Sequence, residues 1–293
     1  MQLLLDLLKE QGSTEEYQEA LDLIYRLIKC PKDPKAAVTN SELILQTKVD
    51  NIELLLELLE HMDMVVGITT SQILTEIHAN CGPLLEQAIQ DCHTGMTKLL
   101  QRLPDASREE VRNQAIVLVQ QLTASNEEMK KTVAFNEGFD ILFGIIQSEG
   151  GNTDGGIVVQ DCVQICSNIL ADSETCQRLF YEMGSDWFLK LADFFDPSVL
   201  EKMTARGLYD DDGDEAVQDE MWFEESSRVL CASYAMHALS NSLSNGSKKY
   251  QNLLGVTSHD LMTNASFWLA RRGPYELITP AIDLISKIVS NNE

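Results

Sequence analysis

Asp210, Asp212 and Asp214 alternate along the acidic run from Tyr209 to Glu215, and alternating carboxylates are how an oxygen-rich loop wraps a calcium ion. They fill the first, third and fifth positions of such a loop. The sixth position must turn sharply and takes glycine, and here it is Glu215. The twelfth takes a bidentate glutamate, and here it is Met221. The run therefore reads as a solvated acidic insertion over 204–220. Gly150-Gly151-Asn152-Thr153-Asp154-Gly155-Gly156 has the glycines of a phosphate cradle. It lacks the Gly-Lys-Ser/Thr ending that supplies charge and a metal ligand, and a helical pattern precedes it where a strand should. It reads as a turn, with Asp154 near the start of the next helix, where a negative charge suits the helix dipole. Cys81 with Cys92 and His93, and the pair Cys162 and Cys166, lack C-x-x-C spacing, and the pair falls on an apolar helix face. No serine or cysteine sits in a nucleophile motif, and the sequons at Asn245 and Asn264 are read as chance matches. No catalytic residue, cofactor site or metal site follows, and the chain is expected not to be an enzyme.

The elements that would carry such residues are helical. Val111, Ala115, Leu118, Val119 and Leu122 fall at i, i+4, i+7, i+8 and i+11, and Val158, Cys162, Ile165, Cys166 and Ile169 repeat that spacing. Shorter stripes precede them. These are Met1, Leu4, Leu5 and Leu8; Ile52, Leu55, Leu56 and Leu59; Met96, Leu99, Leu100 and Leu103; Phe139, Leu142, Phe143 and Ile146; and Phe188, Leu191, Ala192 and Phe195. The stripes begin 43 to 51 residues apart, which overlaps the roughly 40–47 residues of armadillo and HEAT units. Short helix, long helix, short helix favours the armadillo form. The fold expected is all-α: one armadillo-like right-handed solenoid of five to six repeats over 1–293, best defined over 51–184.

Punctuation agrees. Ser13 with Glu16, Ser107 with Glu110 and Ser125 with Glu128 read as capping boxes. Cys30-Pro31-Lys32-Asp33-Pro34 breaks a helix, and 31–50 reads as a polar excursion with a short helix near Ser41–Thr47. Gly82-Pro83 stops one helix and starts another. Helix resumes near Ser226, and 226–293 is a looser helical part.

Basic residues number 22 against 46 acidic, a net charge of −24. Nucleic acid and anionic lipid both reward basic surface, so neither is an expected partner. Seven cysteines in unpaired spacing suit a reducing compartment. No apolar run reaches the roughly 18–20 residues that span a bilayer, and Met1 to Leu8 lack the basic start of a signal peptide. A soluble cytoplasmic protein is expected.

Two groups of polar residues are candidates for binding. Gln121, Asn168 and Asn241 each stand ten residues into a long helix. In the armadillo-repeat nuclear-import receptor such an asparagine follows a tryptophan by four residues and clamps basic peptides. Here the preceding positions are Val117, Gln164 and His237, so the tryptophans are missing, and inter-helix hydrogen bonding is the favoured account of the amides. The second group is Arg112, Asn113, Asp154, Asp161 and Asn168, at the edges of two helices whose other faces are apolar. Packing does not specify their types, and some of them are expected to line a partner surface, with capping and inter-helix hydrogen bonding the favoured account for Asp161 and Asn168.

Arg112-Asn113, Leu122-Thr123, Ser125-Asn126, Val133-Ala134-Phe135, Gly155-Gly156-Ile157-Val158-Val159 with Asp161-Cys162, and Asn168 with Leu170 carry a family resemblance. The stretch from about Asn51 to Gly184 resembles the armadillo-repeat globular head of the general vesicular transport factor family, long tethers acting between endoplasmic reticulum and Golgi. The resemblance implies a non-enzymatic tethering module, peripheral to the Golgi and to ER-to-Golgi vesicles. Such a head dimerises and works with a Rab-family GTPase, golgins and SNAREs. The family's coiled-coil tail has no counterpart in sustained heptads here, so a piece of a longer protein or a short relative is expected. The alternative is an armadillo-type adaptor or nuclear transport receptor for basic peptides.

Overall fold

A computed structural model describes residues 1–10, 12–46, 49–92, 94–152, 156–183, 185–197, 215–243, 261–270 and 275–290. Among these every regular element is helical, and the chain divides into two compact units, Met1–Asn136 and Glu137–Glu293.

The first unit holds α1 (Gln2–Lys9), α2 (Thr14–Ile28), α3 (Pro34–Gln46), α4 (Val49–Leu58), α5 (Met64–Asp91), α6 (Gly95–Arg102), a 3-10 turn (Ala106–Arg108), α7 (Glu109–Thr123) and α8 (Glu127–Phe135). Ser13 and Glu16 form the expected capping box at the start of α2, each side chain meeting the other's backbone N–H. Ala20, Leu21, Ile24 and Ile28 are its buried stripe. The long helices lie side by side, α2 against α5 and α5 against α7, with shorter helices closing the layer behind them. At Cys81 (φ −152°, ψ 53°) α5 leaves helical geometry, and Pro83 follows as the start of the second segment.

Residues 34–46 correct the sequence reading. They are a full helix packed on α2 and α5, not a polar excursion. Pro34 starts it, and the Asp33 carboxylate accepts the Ala36 N–H at 3.1 Å as its cap. Ala37, Ser41 and Ile44 are its buried face at i, i+4 and i+7. Ser41 hides that stripe from hydropathy, yet its hydroxyl is satisfied, donating to the Ala37 carbonyl and accepting from Asn80. Two caps also shift. Asp105, just ahead of the 3-10 turn, accepts the Ser107 N–H, and α7 starts at Glu109. Asn126, rather than Ser125, caps α8 by accepting the Met129 N–H at 3.1 Å.

The second unit holds α9 (Gly138–Ser148), α10 (Ile157–Leu170), α11 (Glu174–Met183), α12 (Ser185–Ala192), a 3-10 turn (Asp193–Phe195), α13 (Glu215–Ser242), α14 (261–270) and α15 (Tyr275–Ser290). Here α13 lies between α10 and α15, and its buried Ala232, Ala235 and Ala238 let the flanking helices approach closely. Gly150 (φ 93°) and Gly151 (φ 67°) end the α9 segment in the left-handed region, where glycine carries no side-chain penalty. Residues 204–214 of the acidic insertion, with the three aspartates of the calcium-like run, lie outside the described residues. Residues 215–220 begin α13, so helix starts earlier than Ser226.

The core follows the stripes. Leu5, Leu55, Ile73, Leu99, Val119, Phe139, Cys162, Leu191, Leu239 and Leu284 are all fully or almost fully buried. Repeated helix layers with one buried stripe per helix make an all-α, armadillo-like solenoid. Among the described residues no helix is long and apolar enough to cross a membrane.

Candidate partner-binding surface

The five polar candidates are placed unlike one another. Arg112 and Asn113 stand on α7 in the first unit, Asp161 and Asn168 on α10 in the second, and Asp154 lies outside the described residues.

Arg112 is not at an exposed edge, since only 2% of it is accessible. Helices α5, α6 and α8 all pack on α7, so burial spreads beyond the predicted stripe and takes in the position after Val111. The guanidinium Nε donates to the Asn113 side-chain oxygen at 3.1 Å, and Nη2 lies 3.8 Å from the Glu109 carboxylate. Asn113 is half-buried.

Asp161 is half-buried, and its charge acts on two side chains of α13. Burial is the main cause that pushes the Cys231 thiol up to about 12, and the Asp161 charge adds to it. The same two causes, in the same order, raise Tyr234. Asn168 is half-buried on the same helix. Beside it, the Ser167 carbonyl accepts from Asn241 Nδ2 at 3.4 Å. That contact joins α10 to α13.

Amides serve in this way throughout. Asn80 Nδ2 donates to the Ile28 carbonyl at 3.0 Å and Asn51 Nδ2 to the Ile44 carbonyl at 3.0 Å. Gln177 Nε2 reaches the Leu170 carbonyl at 2.7 Å. Each satisfies a carbonyl that the end of a helix leaves without an intrahelical donor. Asn241 likewise makes its contact within the stack.

The thiols are packing groups. Cys162, Cys166, Cys176 and Cys231 are buried, and desolvation raises the Cys166 and Cys81 thiols, the latter to about 11. A thiol held protonated is a poor nucleophile and a poor metal ligand. Among the described residues no three His, Cys, Asp or Glu side chains gather as a metal-binding group.

One cluster escaped the sequence reading. Trp187 of α12 packs against Phe139 and Phe143 of α9 and Phe180 of α11. Phe139 and Phe143 were legible as an i, i+4 pair, but only the tertiary fold brings the other two rings to them.

No protein-family model matches the chain. By sequence it is similar to the human general vesicular transport factor p115, with 34% identity over 184 residues, 59% of this chain and 19% of the relative. It is similar also to golgin candidate 6 of Arabidopsis thaliana, with 40% identity over 159 residues, 54% of this chain and 17% of that one. Over that stretch the chain is similar to the general vesicular transport factors. It spans about a fifth of the length of these relatives. Solved structures agree on the fold. The crystal structure of Uso1-1 superposes with a TM-score of 0.68 at 24% identity, covering 98% of this chain and 42% of that one. A designed armadillo repeat protein gives a TM-score of 0.65 at 15% identity, covering 97% of this chain and 98% of its own.

Proposed function

We propose that the chain is a non-enzymatic vesicle-tethering module of the early secretory pathway. The observation that carries this reading is its kinship with a vesicular transport factor over 184 residues. A solenoid suits the task, because stacked repeats offer long continuous surfaces to protein partners. In this reading the module works on the cytoplasmic side, peripheral to the Golgi and ER-to-Golgi vesicles. It engages a Rab-family GTPase, SNAREs and golgins, and pairs as a homodimer. Asn113, Asp154 and Asn168 are assigned to partner contact, while Arg112 and Asp161 act from beneath by holding neighbouring side chains and helices.

The test uses purified chain passed over immobilised Rab-family GTPases loaded with GTP or GDP, and over SNARE cytoplasmic segments. Retention by the GTP form, weakened by Asn113→Ala at a temperature where that variant is still fully helical, is the expected result. If neither nucleotide form nor any SNARE retains it while basic nuclear-targeting peptides do, the adaptor reading takes its place. That reading draws on the net charge of −24 and on no tryptophan ladder.

A further inference from the structure

The long helices stack through defined faces, and α2 leaves one of its faces uncovered. Toward α5 it turns Gln18, which donates to Asp63 Oδ1 at 3.0 Å, and the buried Leu21 and Ile28. At about 100° per residue Leu23 and Leu27 lie on the opposite side of the helix, and both are exposed. Glu16 and Glu19 extend that side toward the start of α2. Helix α1 packs on α2 and adds exposed Leu3 and Leu7, opposite its own buried Leu5 and Leu8. Helix α3 is joined to the end of α2 by the bond from Asn40 Nδ2 to the Leu27 carbonyl at 2.9 Å, and it adds exposed Leu43.

Exposed leucines on three neighbouring helices are the reverse of a polar cap. In a stacked array an outermost layer needs a polar outer face, because it has no neighbour to bury an apolar one. Here the outward leucines of α1 and α2 recur at i, i+4, the spacing by which inner helices bury their stripes. The face is built to be covered. Two copies of net charge −24 repel at long range, so a face that pairs them must carry basic residues of its own. This layer does. Arg26, Lys29, Lys32 and Lys35 fall within ten residues, in a chain with 22 basic residues in 293. Glu19, Lys32 and Lys35 are exposed, and none of the three has an ion-pair partner among the described residues.

Charge and stripe together fit one occupant. Along the open side of α2 the order is acidic, apolar, basic: Glu16 and Glu19, then Leu23 and Leu27, then Lys32 and Lys35 just past the helix end. A second copy turned end for end matches that order to itself. A two-fold axis midway between Leu23 and Leu27 sets each against the other across the axis, and brings Glu16 and Glu19 of one copy to Lys32 and Lys35 of the other. A self-matching contact of this kind closes after two chains. We propose that two copies pair through the leucine face of the first layer, with α2 antiparallel to α2 across the axis. This gives a surface to the pairing in the tethering reading, and rests on that part of it alone.

The test is sedimentation equilibrium of the full chain at physiological salt over a wide range of concentration. The parent is expected to approach twice the chain mass. Leu23→Glu and Leu27→Glu, at positions already exposed, and Glu19→Lys should each weaken association about tenfold or more, with the helical circular dichroism of the parent. Lys32→Glu with Lys35→Glu should weaken it likewise. Adding that pair to Glu19→Lys should restore association, since opposite charges then meet again, and loss of folding cannot imitate a restoration. A parent that stays monomeric overturns the proposal and the pairing in the functional reading together. A parent that pairs, with Leu27→Glu and Glu19→Lys pairing equally well, leaves that reading standing and overturns this face. A monomeric parent whose retention by the GTPase or SNARE is lost in Leu27→Glu would assign the face to that partner instead.

Discussion

Gly67 lies in the first turn of α5 against Arg108, and Gly67→Ala tests how the first unit is locked. A Cβ at this position would stand 2.6 Å from Arg108 Nη2, 3.0 Å from Val111 Cγ2 and 3.6 Å from the Leu59 carbonyl oxygen. Arg108 is a long side chain and swings away cheaply, but doing so breaks the bond from its Nη1 to that same Leu59 carbonyl, 3.0 Å long. A charged hydrogen bond of this kind contributes about 1.5–3 kcal/mol. Crowding Val111, which is buried on α7, adds about 1 kcal/mol of strain. Against these stands the helix-propensity gain of alanine over glycine, about 1 kcal/mol. The balance is a net destabilisation of about 1.5–3 kcal/mol. Urea unfolding followed by helical circular dichroism measures it, with Gly144→Ala as the control, since that Cβ meets nothing. The control should be neutral or stabilising. In an Arg108→Ala background the Gly67→Ala penalty should shrink by the share due to the guanidinium, because the bond is already gone. A Gly67→Ala chain as stable as the parent, or strict additivity of the two changes, would refute the reasoning.

Two further outcomes are expected. Arg112→Ala should lower stability by about 2 kcal/mol or more, because truncating a long buried side chain leaves a cavity among the helices packed on α7; an unchanged urea midpoint would place that side chain at the surface after all. His237 is depressed below its ordinary value by burial, with the Asp283 charge opposing, so the unfolded chain takes up the proton first. Its contribution to stability is present above the unfolded value of about 6.5 and is lost as the pH falls through it. His237→Gln should therefore flatten the decline in stability between about pH 7 and pH 5, and an unaltered slope would exclude the histidine as its source.

The features legible in the sequence are those set within a few turns of one helix. The stripe from Val111 to Leu122, the Ser13–Glu16 box and the break at Gly82-Pro83 depend on local periodicity and backbone chemistry, and all three stand in the structure. The family relationship was legible for a similar reason, since Gly-Gly-Ile-Val-Val-x-Asp-Cys is a contiguous string. Packing from several sides was not legible. Whether the residue beside a stripe is buried depends on how many neighbours surround its helix, and the crowded α7 turned Arg112 inward. Ser41 sits in a core because Asn80, 39 residues away, satisfies its hydroxyl. A hydropathy pattern carries no sign of that donor. The choice of Asn126 over Ser125 as a cap goes with the bond from Asn126 Nδ2 to the Glu86 carboxylate at 2.7 Å, a contact 40 residues long. Trp187 reads as one aromatic in a short helix until α9 and α11 supply its floor. Local free energies are written in order along the chain, but the partners of a buried polar group or an aromatic ring exist only once distant helices meet.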